Sequence, residues 1–347
     1  MKREITLNNG KKIAEHSSPY FIAEINSSHF GDLNLAKDMI TLAAEAKVDC
    51  VKFQSWTSES LYSSSYYIDN PIAKRFVDKF SLQSNDLKTL SEFTNKIGLD
   101  FASTPYSEEE VIFLIETCKV PFIKIASMEI NNHRYLEFIA KTGSAIILST
   151  GMSTIDEIVS AVDIIKSSGN TNLCVLHCVS VYPCPLDEVN LNNIYLLREK
   201  LPSIPIGYSD HTLDSIAAIA ATSLGVAVIE KHFTLDSKKI GMDNQMASEP
   251  AIFQDMIKRS KEISAALGNK DRHLGKEELS QREQMRRSIV SSSFIPAGKK
   301  IREEDINFKR PGTGFKPTEI NKVLGSIAVK DIEKDHLILP SDINQSF

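Results

Sequence analysis

The feature that most constrains this chain is a repeated alternation of two kinds of segment. Eight short β-rich runs occur in order: YFIAEIN (20–26), DCVKFQSW (49–56), LDFASTPY (99–106), PFIKIASMEI (121–130), SAIILSTG (144–151), LCVLHCVSVY (173–182), IPIGYSDH (204–211) and AVIEKHFT (227–234). Between them lie stretches such as LNLAKDMITLAAEAK, whose apolar residues recur at helical spacing. Strand, helix, strand, eight times over, predicts an α/β chain built as a (β/α)8 TIM barrel. The rival is an open doubly wound sheet. That fold usually has fewer strands, and here no G-x-G-x-x-G follows the first strand and no P-loop is present. Helix starts carry capping pairs: Ser107 with Glu110, Ser153 with Asp156 and Thr154 with Glu157.

The length of 347 residues leaves room for more than a barrel. Residues 1–17 predict a small hairpin turning at Asn9-Gly10. The barrel is expected over 18–267. Residues 268–287 are highly charged and read as a solvated linker or exposed helix, and 288–347 as a small β-rich domain. So short a segment makes a marginal core, which docking on a partner surface would help.

Composition removes several function classes. A net charge of −5 and a pI near 6.0 offer no basic field to nucleic acid or acidic membranes. No apolar run approaches the ~20 residues of a membrane span, and the N-terminus lacks the apolar core of a signal peptide. The five cysteines, Cys50, Cys118, Cys174, Cys178 and Cys184, are odd in number and follow no zinc pattern. They read as free thiols in a reducing cytosol, which makes a cytoplasmic protein the expectation.

Each β-rich run ends in polar residues, as VIEKHFTLD (228–236) shows. Buried charge is costly unless paired or bound to something. The carboxyl ends of the strands are where such a barrel holds its active site. Side chains two apart on a strand share a face. Glu24 with Asn26, Lys52 with Gln54, Ser180 with Tyr182, Ser209 with His211 and Glu230 with His232 therefore pair on one face and converge on one pocket. His177 falls in the opposite register and reads as a structural histidine facing the helices.

His211 and His232 end neighbouring strands. Two inward imidazoles can bind one divalent transition metal; otherwise they serve only as hydrogen-bonding groups. Glu24 and Glu230 could ligate, orient a ligand or hold a metal-bound water. Lys52 and Lys124 sit inside apolar runs and suit either a Schiff base or an anion. The hydroxyls of Ser103, Thr104, Ser127, Ser149 and Thr150 at strand ends favour an anion, phosphate above all. A metal, anion-binding lysines and carboxylates together point to carbon–carbon bond formation or phosphate-ester chemistry. A Schiff-base pyruvate lyase and a non-enzymatic carbohydrate-binding protein are the competing classes. A scaffold gains nothing from so many desolvated charges.

FIAEINSSHFGDLNLAKDMITLAAEAKVDCVKFQ, FASTPYS, FIKIASMEI, ILSTGMST, LHCVSVYPCP, IGYSDHT and EKHFTLD, in that order, resemble the sialic acid (N-acetylneuraminate) synthase family from about residue 18 onward. The resemblance implies metal-dependent condensation of phosphoenolpyruvate with an amino-sugar aldehyde such as N-acetylmannosamine, with loss of phosphate. The implied metal is manganese, or magnesium or cobalt, held by His211 and His232. Lys52, Lys124, Ser127 and Ser209 match positions around phosphoenolpyruvate, with Ser180 near its phosphate, and Thr104 is a further substrate-binding candidate. Gln54, Tyr182 and Asp243 match sugar-side positions. Glu24 and Glu129 match carboxylates near the metal or the attacking water.

Two departures stand out. Ser180 replaces the Asn of better-known members, and GMDNQ stands where they show Gly-Pro-Asp-His, so that Asp243 is kept and Asn244 replaces His. Synthases for legionaminic, pseudaminic or deaminated relatives therefore remain open. The tail resembles the antifreeze-like, or SAF, domain of this family. By that resemblance it crosses to the other subunit of a homodimer, with Arg310 of KRPGTG reaching the sugar.

Overall fold

A computed structural model describes residues 3–268 and 271–344. The chain divides into two compact units, Met1–Gly268 and Asn269–Phe347.

The first unit opens with the strands β1 (Glu4–Thr6) and β2 (Lys12–Ala14), paired antiparallel with Ile5 opposite Ile13. Gly10 takes φ +85° in the connecting turn, a conformation that disfavours any residue with a Cβ. Eight parallel strands follow: β3 (Tyr20–Glu24), β4 (Cys50–Gln54), β5 (Asp100–Thr104), β6 (Ile123–Ile125), β7 (Ile146–Ser149), β8 (Leu173–Cys178), β9 (Ile206–Asp210) and β10 (Val228–His232). Their order is β5-β4-β3-β10-β9-β8-β7-β6, a nearly closed TIM-like barrel; among the described residues no ladder joins β5 to β6. Each of the eight runs expected from the sequence holds one of these strands.

The helices are α1 (Leu33–Glu45), α2 (Ser58–Leu61), α3 (Ser64–Asp69), α4 (Pro71–Phe80), α5 (Ser84–Lys96), α6 (Glu108–Glu116), α7 (His133–Lys141), α8 (Ile155–Ser167), α9 (Asn193–Lys200), α10 (Ile216–Ser223) and α11 (Pro250–Leu267). Three of them, α2, α3 and α4, form an insertion after β4 that the periodicity of the sequence did not announce. Ser107 caps α6 through the Glu110 amide at 3.2 Å, and Thr154 with Glu157 forms a capping box on α8. Ser153 does not cap: its hydroxyl donates to the Gly151 carbonyl at 3.2 Å, because the helix begins one residue later than the Ser153–Asp156 spacing suggests.

The strands are apolar on both faces, as buried parallel strands must be. Alternate residues go to different cores. Phe21, Val51, Phe101, Ile123, Leu148, Val175 and Ile229 pack outward with the helices. Ile22, Cys50, Ala102, Phe122, Ile147, Leu176 and Val228 fill the barrel interior, where Ile5, Leu7 and Ile13 of the hairpin join them. Asn8 ties the hairpin on, donating its amide to the Pro121 carbonyl and accepting from the Ala145 amide. Gly207 lies in the inward register. A Cβ there would come within 2.3 Å of Leu176 and 2.9 Å of Val228, so only glycine fits. The amino end of the barrel is thus plugged, and a cavity is left at the carboxyl end.

The second unit holds α12 (Lys276–Met285), the antiparallel pair β11 (Ser288–Ser291) with β12 (Ile306–Lys309), and the pair β13 (Ile327–Ala328) with β14 (Ile343–Asn344). Its core is mainly isoleucine, with Phe315 and Val323. The stretch expected as linker or exposed helix contains α12, which carries no buried residue. Arg310 lies just after β12 and is exposed. All five cysteines are free and buried. Among the described residues no helix is long and apolar enough to cross a membrane.

Candidate active site

The cavity at the carboxyl end of the strands has a volume of about 370 Å³. Its charged floor follows from register. The interior residues Ile22, Cys50, Phe122 and Val228 are each followed two positions on by Glu24, Lys52, Lys124 and Glu230, so the same face turns from apolar to charged as each strand ends. One residue out of step, Lys231 points outward. It is buried against Asp210 at 2.8 Å and the Thr212 carbonyl at 2.6 Å, which answers why three ionisable groups end this strand.

On the floor Lys52 contacts Glu24, lies 3.8 Å from Glu230 and donates to Thr104 Oγ1 at 3.0 Å. Lys124 lies 4.0 Å from Glu230 and donates to Ser149 Oγ at 2.7 Å. Ser209 donates to Glu230 at 3.2 Å, and Gln54 to Glu24 at 3.3 Å. All four charged side chains are buried. A charge in such a site interacts several times more strongly than at a surface.

Their proton affinities diverge. Burial pushes the Glu24 carboxyl up to about 7, with Glu230 adding to the rise against the pull of Lys52. Burial would also raise Glu230, yet Lys124, Lys52 and His211 hold it below the usual carboxylate range. Burial works against the charge on Lys52, but Glu230 and Glu24 keep it above its ordinary value. For Lys124 burial prevails over Glu230, and its value falls. Two carboxyls of one type are thus shifted in opposite directions, Glu24 toward neutrality and Glu230 away from it, the pattern that separates a proton carrier from a fixed counter-charge.

The histidines stand on adjacent strand ends with ring centroids 5.5 Å apart, and the Tyr182 ring lies 4.2 Å from His211. His211 Nδ1 is bound to the Val179 carbonyl at 2.7 Å, which leaves Nε2 available. His232 Nδ1 is buried without a hydrogen-bond partner. Burial, then His211, Lys52 and Lys231, drive the His232 imidazole well below its ordinary value, so it is neutral as a metal ligand must be. One committed ring and one orphaned nitrogen fit a two-imidazole metal site; burial works against the charge on His211 as well, but Cys178 and the Val179 carbonyl hold it above its ordinary value, so a metal bound there would displace a proton. Among the described residues no group of three or more His, Cys, Asp or Glu could hold a metal, so water or substrate would complete the coordination.

Of the residues singled out from the sequence, Glu24, Lys52, Gln54, Thr104, Lys124, Ser127, Ser180, Tyr182, Ser209, His211, Glu230, His232 and Asp243 all line this cavity. Asp243 accepts from Asn26. Glu129 ends a short 3-10 turn after β6; its carboxylate accepts from Asn132 at 2.9 Å and its charge acts on Tyr106, which lines the cavity. Ser103 and Thr150 face away, toward Ser55 and the Leu176 carbonyl. His177 also faces away, bound to the Val189 carbonyl at 2.7 Å and stacked on Tyr208. Arg310 belongs to the second unit.

Several lining residues were missed. Trp56 and Tyr106 continue the parity of Lys52–Gln54 and of Thr104, and both bond Gln54 Oε1, at 2.8 and 3.0 Å. Cys178 precedes Ser180 by two and lies 3.9 Å from His211 Nδ1. Parity alone would have found all three. Met128, Met152 and Met242 come from loops, where parity does not apply.

The NeuB family profile matches residues 39–272 and the SAF domain profile residues 286–344. The N,N'-diacetyllegionaminic acid synthase of Campylobacter jejuni is 35% identical over 328 residues, covering 91% of this chain and 98% of that protein. The enzyme of the same name from Legionella pneumophila is 34% identical over 320 residues, covering 88% and 89%. The crystal structure of N-acetylneuraminic acid synthetase from Leptospira borgpetersenii superposes with a TM-score of 0.74 at 34% identity, covering 81% of this chain and 95% of that one. The chain belongs to the NeuB family, whose relatives are sialic and legionaminic acid synthases, and it carries a SAF domain after its barrel.

Proposed function

We propose that this protein condenses phosphoenolpyruvate with the aldehyde of an acylated amino sugar, such as N-acetylmannosamine or a related hexosamine, to give a nonulosonic acid and phosphate. The observation that carries the reading is the floor itself: two buried lysines beside two carboxyls whose proton affinities shift in opposite directions, next to two imidazoles.

Lys52 and Lys124 are the cations for the phosphate and carboxylate of phosphoenolpyruvate. Thr104, Ser127, Ser149 and Ser209 present hydroxyls around them. Gln54, Tyr182 and Asp243, higher in the cavity, orient the open-chain sugar. A divalent cation, manganese above all, held by His211 and His232 would polarise the aldehyde carbonyl as a Lewis acid. The new bond joins C3 of phosphoenolpyruvate to the aldehyde carbon, whose oxygen takes a proton and becomes a hydroxyl. Water adds at C2, losing a proton, and C–O cleavage expels phosphate to leave the ketone. Glu24 is suited to carry these protons, and Glu230 keeps its charge to balance the lysines. In a homodimer the SAF domain would close the partner's barrel. Residues 269–347 hold 15 basic and 12 acidic residues against 25 and 33 in residues 1–268, so the two units carry opposite net charge.

Phosphate release from phosphoenolpyruvate with a panel of hexosamine aldehydes, with product mass, tests the reaction. Chelation should abolish turnover and manganese restore it; full turnover in chelator removes the metal. The lowered proton affinity of Lys124 favours one alternative, a Schiff-base pyruvate lyase. Borohydride trapping of a pyruvate adduct on Lys124 would establish that alternative and sink the condensation.

A further inference from the structure

Asn26 lines the cavity and is only 5% exposed. It takes φ +45°, in the left-handed region that asparagine tolerates best among residues with a Cβ. Its backbone is held on both sides. The Ile25 amide donates to the Lys52 carbonyl at 2.8 Å, and a turn closes over Asn26 where the Ser28 amide donates to the Ile25 carbonyl at 3.0 Å. Its side chain is held by Asp243, which lies in the loop after β10 and accepts from Asn26 Nδ2. That loop is fixed in turn. Asn244 donates to the carbonyls of Asp236 and Lys239 at 2.7 and 2.8 Å, and a Cβ at Gly241 would come within 3.1 Å of the Phe30 ring.

A carboxylate can only accept, so Asp243 decides which way the Asn26 amide faces. Nδ2 turns to Asp243, and Oδ1 is left buried with no hydrogen-bond partner. Such an unmet acceptor is costly unless a donor reaches it. Register gives the level of that donor. Glu24 lies opposite both Lys52 and His232 on the neighbouring strands. Asn26, two residues on, therefore stands above the lysine floor and above the imidazoles. With the aldehyde at the imidazoles, a group at this height belongs to the sugar beyond its aldehyde carbon.

We propose that Asn26 is a specificity-determining residue: its Oδ1 accepts a hydrogen bond from one hydroxyl or amide N–H of the sugar, beside the group that Asp243 receives. The proposal rests on the condensation reading above. Two fixed acceptors side by side suit donors on neighbouring carbons of an open chain and hold it in one pose. A sugar without the donor leaves Oδ1 unpaired, and a site built to hydrogen-bond a group discriminates against the analogue that lacks it.

The test uses the full chain, phosphoenolpyruvate and N-acetylmannosamine, or the panel member turned over fastest. Analogues of that sugar that each lack one hydroxyl or the acylamido group are run beside it, following phosphate release. Asn26→Gly removes the acceptor and suits φ +45°, so the fold should be kept, which a thermal melt checks. The parent should lose about tenfold to a hundredfold in kcat/KM with one analogue. Asn26→Gly should lose the same factor with the complete sugar and no longer distinguish that pair, with KM for phosphoenolpyruvate unmoved. A loss in Asn26→Gly shared equally by all the sugars would make Asn26 a mere support for Asp243 and overturn the proposal. A parent indifferent to every deletion overturns it as well. No phosphate release from the parent with any hexosamine aldehyde refutes the condensation itself, so the two failures are distinguishable.

Discussion

Replacing Lys52 by Met removes one unit of charge from the floor while keeping the length of the stem. The consequence can be sized from the structure. At about 4 Å, and at an effective dielectric near 20, one cation stabilises one anion by ~4 kcal/mol, or roughly a thousandfold. That is an upper limit here, because Lys52 already contacts Glu24 and lies 3.8 Å from Glu230, and an incoming phosphoenolpyruvate must compete with both. The expected loss is therefore about a hundredfold to a thousandfold in kcat/KM for phosphoenolpyruvate. Lys124 alone remains, 4.0 Å from Glu230, and its own charge is already weakened by burial. The fold should survive, because Glu24, which titrates near 7, can take up a proton when its cation is lost. Steady-state kinetics against phosphoenolpyruvate would be paired with calorimetric binding and a thermal melt. A folded variant whose kcat/KM stays within tenfold of the parent would refute the assignment of Lys52 to the anion.

Three further outcomes are expected. Burial holds His29 down at about 4, with the Asn26 carbonyl and Asp32 only partly opposing it. Between its unfolded value near 6.5 and 4 the unfolded chain binds a proton that the folded chain does not, so about 3 kcal/mol of stability, complete above 6.5, is lost as pH falls to 4. Urea unfolding across that window checks this, and His29→Asn should flatten the slope by one proton. Lys231→Met strands Asp210 in the core and should cost ~3–5 kcal/mol, much of it recovered when Asp210→Asn is added; a single variant as stable as the parent contradicts the pairing. Deleting residues from Arg286 onward should leave the barrel melt intact, since its core is its own, while impairing catalysis; unchanged kinetics would dismiss the capping role of the SAF domain.

Much of the barrel and its charged floor could be read from residue order. Period-2 alternation decides which side of a buried strand each residue takes, so the pairs Glu24–Asn26, Lys52–Gln54, Ser209–His211 and Glu230–His232 had to share a face once the runs were strands. The same rule extends to Trp56, Tyr106 and Cys178. The rule stops where the strand stops. Parity says nothing of Glu129, because a 3-10 turn replaces the extended backbone after Ile125. Ser153 lost its cap for a similar reason, a helix that starts one residue later.

The sequence by itself therefore determined the repeat, the hairpin at Asn9-Gly10 and the inward register of the floor, because these depend on local backbone geometry and on the separation of apolar from polar side chains. Only tertiary structure decided that the hairpin plugs the amino end and that Lys231 finds Asp210. It also decided that Glu24 and Glu230 part in proton affinity, and that three methionines from distant loops meet at one mouth. Each of these depends on distances between groups far apart in the chain, and desolvation and Coulomb energies are set by those distances alone.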